Sequence, residues 1–310
     1  MLRAALLGSA VSFVMAMPVL AQDWTKSKWG PNDEIGAANY MNPERVKAAA
    51  QLVKTGKTYA LGIPVGSDTP AYPPRSVKVT IVQPGQAGNH GIGPNNATYN
   101  DDMITGWVGV GSQMDGLGHL GVDHVYYNGN KIADFGDVGG LKKLGIDKVP
   151  PLVARGVMLD MAAYYKTDVV KEGTAFNTKE IEEAAKAQGV EIREGDVVLF
   201  HTGWLSLVGK DDKRYNGGEP GLGVEGAKYL TGKGVVAVGA DTWGVEVVPF
   251  EKDTVFEVHQ ILLAMNGTYI LENMDTSGLA RDKGYEFLFV LGQPRFKGGV
   301  QSMINPVAIR

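Results

Sequence analysis

Gly111-Ser112-Gln113-Met114-Asp115-Gly116-Leu117-Gly118-His119 follows a β-prone run, Ile104 to Val110, and gathers an amide, a carboxylate and an imidazole into seven residues, Gln113 to His119. The interspersed glycines let the backbone bend sharply around these groups. The chain has no cysteine, which excludes disulfides, thiolate nucleophiles and cysteine-held zinc or iron–sulfur sites. Any metal must therefore be taken by histidine, carboxylate or amide oxygen. Histidine is also the usual proton carrier near neutral pH. The same stretch equally fits a polar turn after a strand, with Asp115 capping backbone N–H groups. His124, five residues past His119, falls at a hairpin mouth and reads as a surface residue.

Outward from this segment, short strand-like runs dominate. Tyr59 to Val65 and Val77 to Val82 are separated by Pro70, Pro73 and Pro74. Val125-Tyr126-Tyr127, then Asn128-Gly129, then Lys131-Ile132 predicts a hairpin, because Asn-Gly suits a type I′ turn. Gly156 to Met161, Asp196 to Phe200, Val235 to Val238, Thr268 to Leu271 and Glu286 to Leu291 read as further strands. Asn177 and Glu180 stand in capping-box spacing and predict a helix to Gln188. Val224 to Leu230 predicts another. Thr254 to Met265 predicts a third, with Val255, Val258, Leu262 and Met265 on one face. Strands with helices between them, after an early all-β section, point to one mixed α/β domain rather than a simple doubly wound sheet.

A second polar cluster lies downstream. His259 falls inside the third predicted helix, and Glu272 ends the strand after it. A helix–turn–strand unit can return both groups to one end of a sheet. His259 alone also fits an ordinary half-buried histidine, whereas a carboxylate after three apolar strand residues is costly to bury unpaired. Two tempting motifs fail. Gly221 to Gly226 matches G-x-G-x-x-G, but Tyr215 to Pro220 before it reads as loop, and the fingerprint needs a preceding strand. No Gly-x-Ser-x-Gly nucleophile elbow occurs. Trp107, Trp204 and Trp243 are candidates to line an apolar pocket, and each fits core packing as well.

The 310 residues carry 30 basic and 34 acidic side chains, with a net charge of −4. That balance argues against a nucleic-acid partner, which would select a basic surplus. At the N-terminus, Arg3 precedes an apolar run from Ala4 to Leu20 that is broken by Gly8, Ser9, Ser12 and Pro18. It is short for a membrane span, which needs ~20 apolar residues. Val19-Leu20-Ala21 supplies the small residues that a signal peptidase reads. The expectation is a signal peptide over residues 1–21, a mature chain over 22–310, and a periplasmic or secreted protein with no membrane span after cleavage.

At this point the sequence resembles the cyclase family of metal-dependent hydrolases, which includes bacterial kynurenine formamidase and isatin hydrolase. The family signature is H-x-G-T-H-x-D-x-P-x-H. Gly111, Asp115 and His119 match it, and Ser112 stands for the threonine. The resemblance continues through Arg155 to Asp160, Gly195 to Trp204, Gly239 to Thr242, and His259 to Glu272, so it spans roughly Asn32 to Leu291. The departures are specific. Gly109 and Gln113 stand where the family has its first two metal-binding histidines, and Leu117 replaces the proline. A branch with Gly-Thr-Gln-x-Asp is similar to Gly111 to Asp115.

The resemblance implies a mixed-sheet swivelling β/β/α fold and hydrolysis of an amide or cyclic amide, of aryl formamide or lactam type. It implies Asp115 as a metal ligand, Gln113 as an oxygen ligand, His259 and Glu272 as the remaining metal-side pair, and His119 as general acid/base. Oxygen-rich ligation moves the expected ion from Zn²⁺ toward Mn²⁺. Family analogy implies a homo-oligomer acting on a small-molecule substrate. The rival is an exported binding protein of the same fold that has lost catalysis with those two histidines.

Overall fold

Two short early strands, Thr58–Ala60 and Gln113–Asp115, join seven later ones in one nine-stranded mixed sheet. The computed structural model describes residues 23–82 and 91–310; the expected signal peptide lies outside them. The strand order across the sheet is Thr58–Ala60, Val307–Ile309, Glu286–Leu291, Leu152–Asp160, Val197–His201, Ala237–Ala240, Tyr269–Glu272, Gln113–Asp115, Gln301–Met303. The four strands from Leu152–Asp160 to Tyr269–Glu272 run parallel, and the flanking ones pair antiparallel. Parallel strands are covered on both faces and so read as continuous apolar runs. Val197 to Phe200 and Ala237 to Ala240 are buried throughout.

The helix Thr178–Gln188 begins at the predicted capping box and ends at Gly189. The helix Val224–Lys233 runs one turn past its predicted end. Its first turn explains why the Gly221–Gly226 motif is no phosphate site. Glu251 Oε2 accepts from the Val224 N–H at 2.8 Å, and Asn177 Oδ1 accepts from the Gly226 N–H at 3.0 Å. The donors a pyrophosphate would need are already taken. A separate antiparallel ribbon pairs Val77–Val82 with Asp101–Gly106, earlier than the predicted Ile104 to Val110 run. The Asn128-Gly129 hairpin is present, with Asn128 at φ 56° and Gly129 at φ 69°. Among the described residues no helix is long and apolar enough to cross a membrane.

The third predicted helix needs correction. The helix begins only at Glu257, because Phe256 holds a left-handed φ of 55°, and it widens to a π-helix over Gln260–Met265. Val255 is therefore outside it and 67% exposed. The Gln113–Asp115 segment, which also fitted a turn, is an inner strand.

Arg155 ties three elements together. Its guanidinium donates to Asp196 Oδ2 at 2.6 Å, to Glu286 Oε1 at 2.7 and 2.9 Å, and to the Glu191 carbonyl at 2.9 Å. Burial pushes Asp196 up to about 6 although Arg155 pulls it down. Arg155→Ala should cost about 3 kcal/mol near pH 8, the cost of breaking a buried pair. A folded-state pKa above the unfolded value means that the fold binds this proton more tightly. Without the pull of Arg155 the Asp196 pKa rises further, so the variant's deficit should shrink as the pH falls from 8 toward 6 and lone Asp196 is neutralised. Thermal unfolding at pH 8 and pH 5 checks this, and equal deficits would count against it.

Candidate metal centre

Strand alternation builds the floor of the site. Gln113 and Asp115 are two residues apart and share a face, while Met114 between them turns into the core. Register sets Glu272 opposite Gln113 on one side, and Gln301 opposite Asp115 on the other. Four polar side chains from three neighbouring strands thus converge on one face, as directly opposed residues must. The approach is fixed by Gly111 at φ 69°, where a Cβ would stand 2.4 Å from Val65 Cγ2, so only glycine fits. Ser112 Oγ donates to the Asn273 carbonyl at 2.6 Å and accepts from the Ile63 N–H at 2.8 Å, locking the strand end.

His259 arrives from the last turn before the π-helix, a backbone irregularity frequent at functional sites. Glu246 orients it. Glu246 Oε2 lies 2.9 Å from His259 Nδ1, and the same carboxylate accepts from the backbone N–H groups of Val258 at 3.1 Å and His259 at 3.3 Å. His259 Nε2 is left facing Glu272 Oε1 at 3.5 Å. Ligand atoms of Asp115, His259 and Glu272 lie within 4.8 Å of one another, and all three residues are buried. Gln113 joins them as an amide donor: its Nε2 donates to Glu272 Oε2 and stands 3.5 Å from Asp115 Oδ1.

The electrostatics of this cluster favour a cation. Burial raises the Glu272 pKa, and the Asp115 charge pushes it the same way. Burial opposes charge on His259, but hydrogen bonds to Glu246 and Glu272 outweigh it and raise its pKa. Asp115 Oδ2 is buried without a hydrogen-bond partner among the described residues, an expensive arrangement unless something else satisfies it. One imidazole nitrogen and two carboxylate oxygens form a suitable donor set for a divalent ion. The residues present fit a metal. Glu246→Ala should weaken Mn²⁺ binding about 10–100-fold by releasing the imidazole; calorimetric titration measures this, and unchanged affinity would deny Glu246 that role.

His119 sits beside the cluster rather than in it. Its Nε2 is 3.8 Å from Asp115 Oδ2. Burial lowers its pKa, with Asp115 acting in the opposite sense. It lines a cavity of about 210 Å³, shared with Tyr72, Arg75, Trp243, Phe256 and the His259–Glu272 pair. Tyr72 stacks on Trp243 with centroids 5.3 Å apart, and Phe256 meets the His259 ring edge-on at 5.0 Å. The three tryptophan candidates therefore part company. Trp243 lines the cavity, Trp204 is in the core with Nε1 donating to the Tyr215 carbonyl at 3.2 Å, and Trp107 is 48% exposed. His124 is exposed, as expected.

The sequence reading missed Glu246, Gln301 and Arg75. Glu246 and Gln301 lie in segments with no motif, and only the fold carries them to the site. Arg75 follows a proline cluster that signals only a turn.

Residues 59–247 match a family model described as "Putative cyclase". No curated protein matches the chain. Among solved structures, that of a novel cyclase is similar at 29% identity, covering 92% of this chain and 98% of that one, with a TM-score of 0.83. Isatin hydrolase A from Ralstonia solanacearum is similar at 18% identity, covering 82% and 92%, with a TM-score of 0.62. A potential metal-dependent hydrolase with cyclase activity is similar at 18% identity, covering 81% and 98%, with a TM-score of 0.53. The likeness to the last two is one of fold.

Proposed function

The chain belongs to the cyclase family, and from that premise we propose that it is a metal-dependent hydrolase of a small amide or cyclic amide. One observation carries the proposal: Asp115, His259 and Glu272 converge, with Asp115 Oδ2 unpartnered, beside an aromatic-walled cavity. A volume of about 210 Å³ exceeds the ~150 Å³ that accepts benzene. It falls below the ~300 Å³ lower end of drug-sized sites. A single aromatic ring bearing a formamide, or a fused lactam, suits that space.

Asp115, His259 and Glu272 would hold the ion. A divalent ion bound there supplies Lewis acidity and makes water more acidic. Tyr72, Trp243 and Phe256 would wall the ring and exclude bulk water. His119, whose burial lowers its pKa and so favours the neutral imidazole, would take a proton at an imidazole nitrogen from the attacking water and return it to the departing nitrogen. Arg75 faces Glu272 and His119 electrostatically, so its charge would favour the carboxylate that amide hydrolysis releases. The test is elemental analysis of purified protein, followed by hydrolysis assays on an aryl formamide and a benzo-fused lactam with and without chelator. Stoichiometric metal and chelator-sensitive turnover are expected. Metal-free protein that takes up neither Mn²⁺ nor Zn²⁺ would remove the reading.

We also propose export. The charge–apolar–small pattern ending at Ala21 supports it. Mass spectrometry of periplasmic material should show a chain beginning near Gln22, and an intact Met1 there would end this proposal.

A further inference from the structure

Gln301 is a residue of this centre that no motif marks. It is buried, lies opposite Asp115 in register, and its Nε2 donates to Asp115 Oδ1 at 2.6 Å. The room for that amide comes from a bare backbone elsewhere. A Cβ at Gly109 would stand 2.9 Å from Gln301 Oε1, 3.0 Å from Gln301 Nε2 and 3.0 Å from Arg75 Nη1. Arg75 Nη1 in turn donates to the Gly109 carbonyl at 3.2 Å. The missing side chain at 109 and the reach of Gln301 are two sides of one packing arrangement.

The consequence falls on Asp115. Its two oxygens are made unequal: Oδ1 accepts from Gln301, with Gln113 Nε2 a further 3.5 Å contact, while Oδ2 has no hydrogen-bond partner among the described residues, with His119 Nε2 at 3.8 Å beside it. A charge-assisted hydrogen bond fixes a carboxylate more firmly than a neutral one. We infer that Gln301 is a positioning residue of the metal centre, which occupies the space left by Gly109, pins Asp115 Oδ1 and so presents Oδ2 to the cation. This inference rests on the metal reading given under Proposed function. It adds that Gly109 and Gln301 work as a pair, so that the glycine at a family histidine position is part of a rebuilt site.

The experiment titrates MnCl₂ and ZnCl₂ into chelator-stripped full-length protein by calorimetry, with Tm measured on the same metal-free samples. Gln301→Met keeps the side-chain length and removes the amide. It should bind metal about 10–100-fold more weakly, the usual cost of losing an outer contact to a ligand, while its metal-free Tm stays near wild type. Gly109→Ala should also weaken binding, because its Cβ displaces the amide. Added to Gln301→Ala, the same change should cost nothing further, since nothing remains to displace. Wild-type affinity in Gln301→Met would overturn the positioning role and leave the metal reading intact, as would additive losses in the double variant. A lowered metal-free Tm with unchanged affinity would make Gln301 a packing residue only. A wild-type chain that binds neither ion would overturn both.

Discussion

Asp115→Ala should lose metal and hydrolysis together, with binding weakened by more than about 100-fold, beyond what outer contacts cost. Asp115 stands at the middle of the converging polar groups. It converges with His259 and Glu272, accepts from Gln301, and lies 3.8 Å from His119 Nε2. Its carboxylate supplies formal charge that neither glutamine can replace. Asp115→Asn separates charge from shape. It should lose the ion nearly as completely, while its metal-free form unfolds at or above the wild-type Tm, because a buried, half-unpartnered carboxylate destabilises the fold that contains it. Elemental analysis and thermal unfolding of the stripped proteins decide the point. Retention of a full metal equivalent by either variant would mean that the ion, if bound, sits elsewhere.

Much of the fold could be read from local pattern because its centre is made of parallel strands. Val197 to Phe200, Ala237 to Ala240 and Tyr269 to Leu271 are apolar runs whose burial on both faces leaves little ambiguity. The alternating strand Glu286–Leu291 has the bounds that its residues predict. At the capping box the Glu180 carboxylate accepts from the Asn177 N–H at 3.0 Å, a local bond that marks the helix start. Other elements depend on distant partners. Gln113–Asp115 carries polar groups beside glycines, which locally means a turn, yet it is a strand because Tyr269–Glu272 and Gln301–Met303 flank it. The start of the His259 helix depends on a left-handed Phe256 and a π-helical widening, neither of which has a periodic signature.

The site divides along the same line. His119, Asp115, His259 and Glu272 are residue types with intrinsic chemistry in suggestive positions, so the sequence marks them. Gln301 is 186 positions from Asp115 and becomes its partner only through strand register. Glu246 is 13 positions from His259, in a segment without hydrophobic period, and reaches it across a loop. Residues that act through another residue leave little trace in composition or spacing, because their partners are brought to them only by the fold.

His119→Ala should leave most of the metal in place and lose about 10²–10⁴-fold in turnover, the range of a positioned general acid/base. The geometry separates this residue from Asp115. Its Nε2 is beyond hydrogen-bond distance of Asp115 Oδ2, and it stands outside the group of converging ligand atoms while lining the adjacent cavity. A ligand contributes to the resting protein, so its loss is seen in metal content. A proton carrier contributes mainly as charge develops in the transition state, so its loss is seen in kcat. Metal content and turnover of an aryl formamide, measured on the same preparations of wild type, Asp115→Ala and His119→Ala, place each residue on one side of that division. Metal loss in His119→Ala would make it a ligand and return the proton-carrying role to another group at the cavity. Equal metal and equal rates in all three proteins would sink both assignments, and a binding protein built on a hydrolase fold would then be the better description.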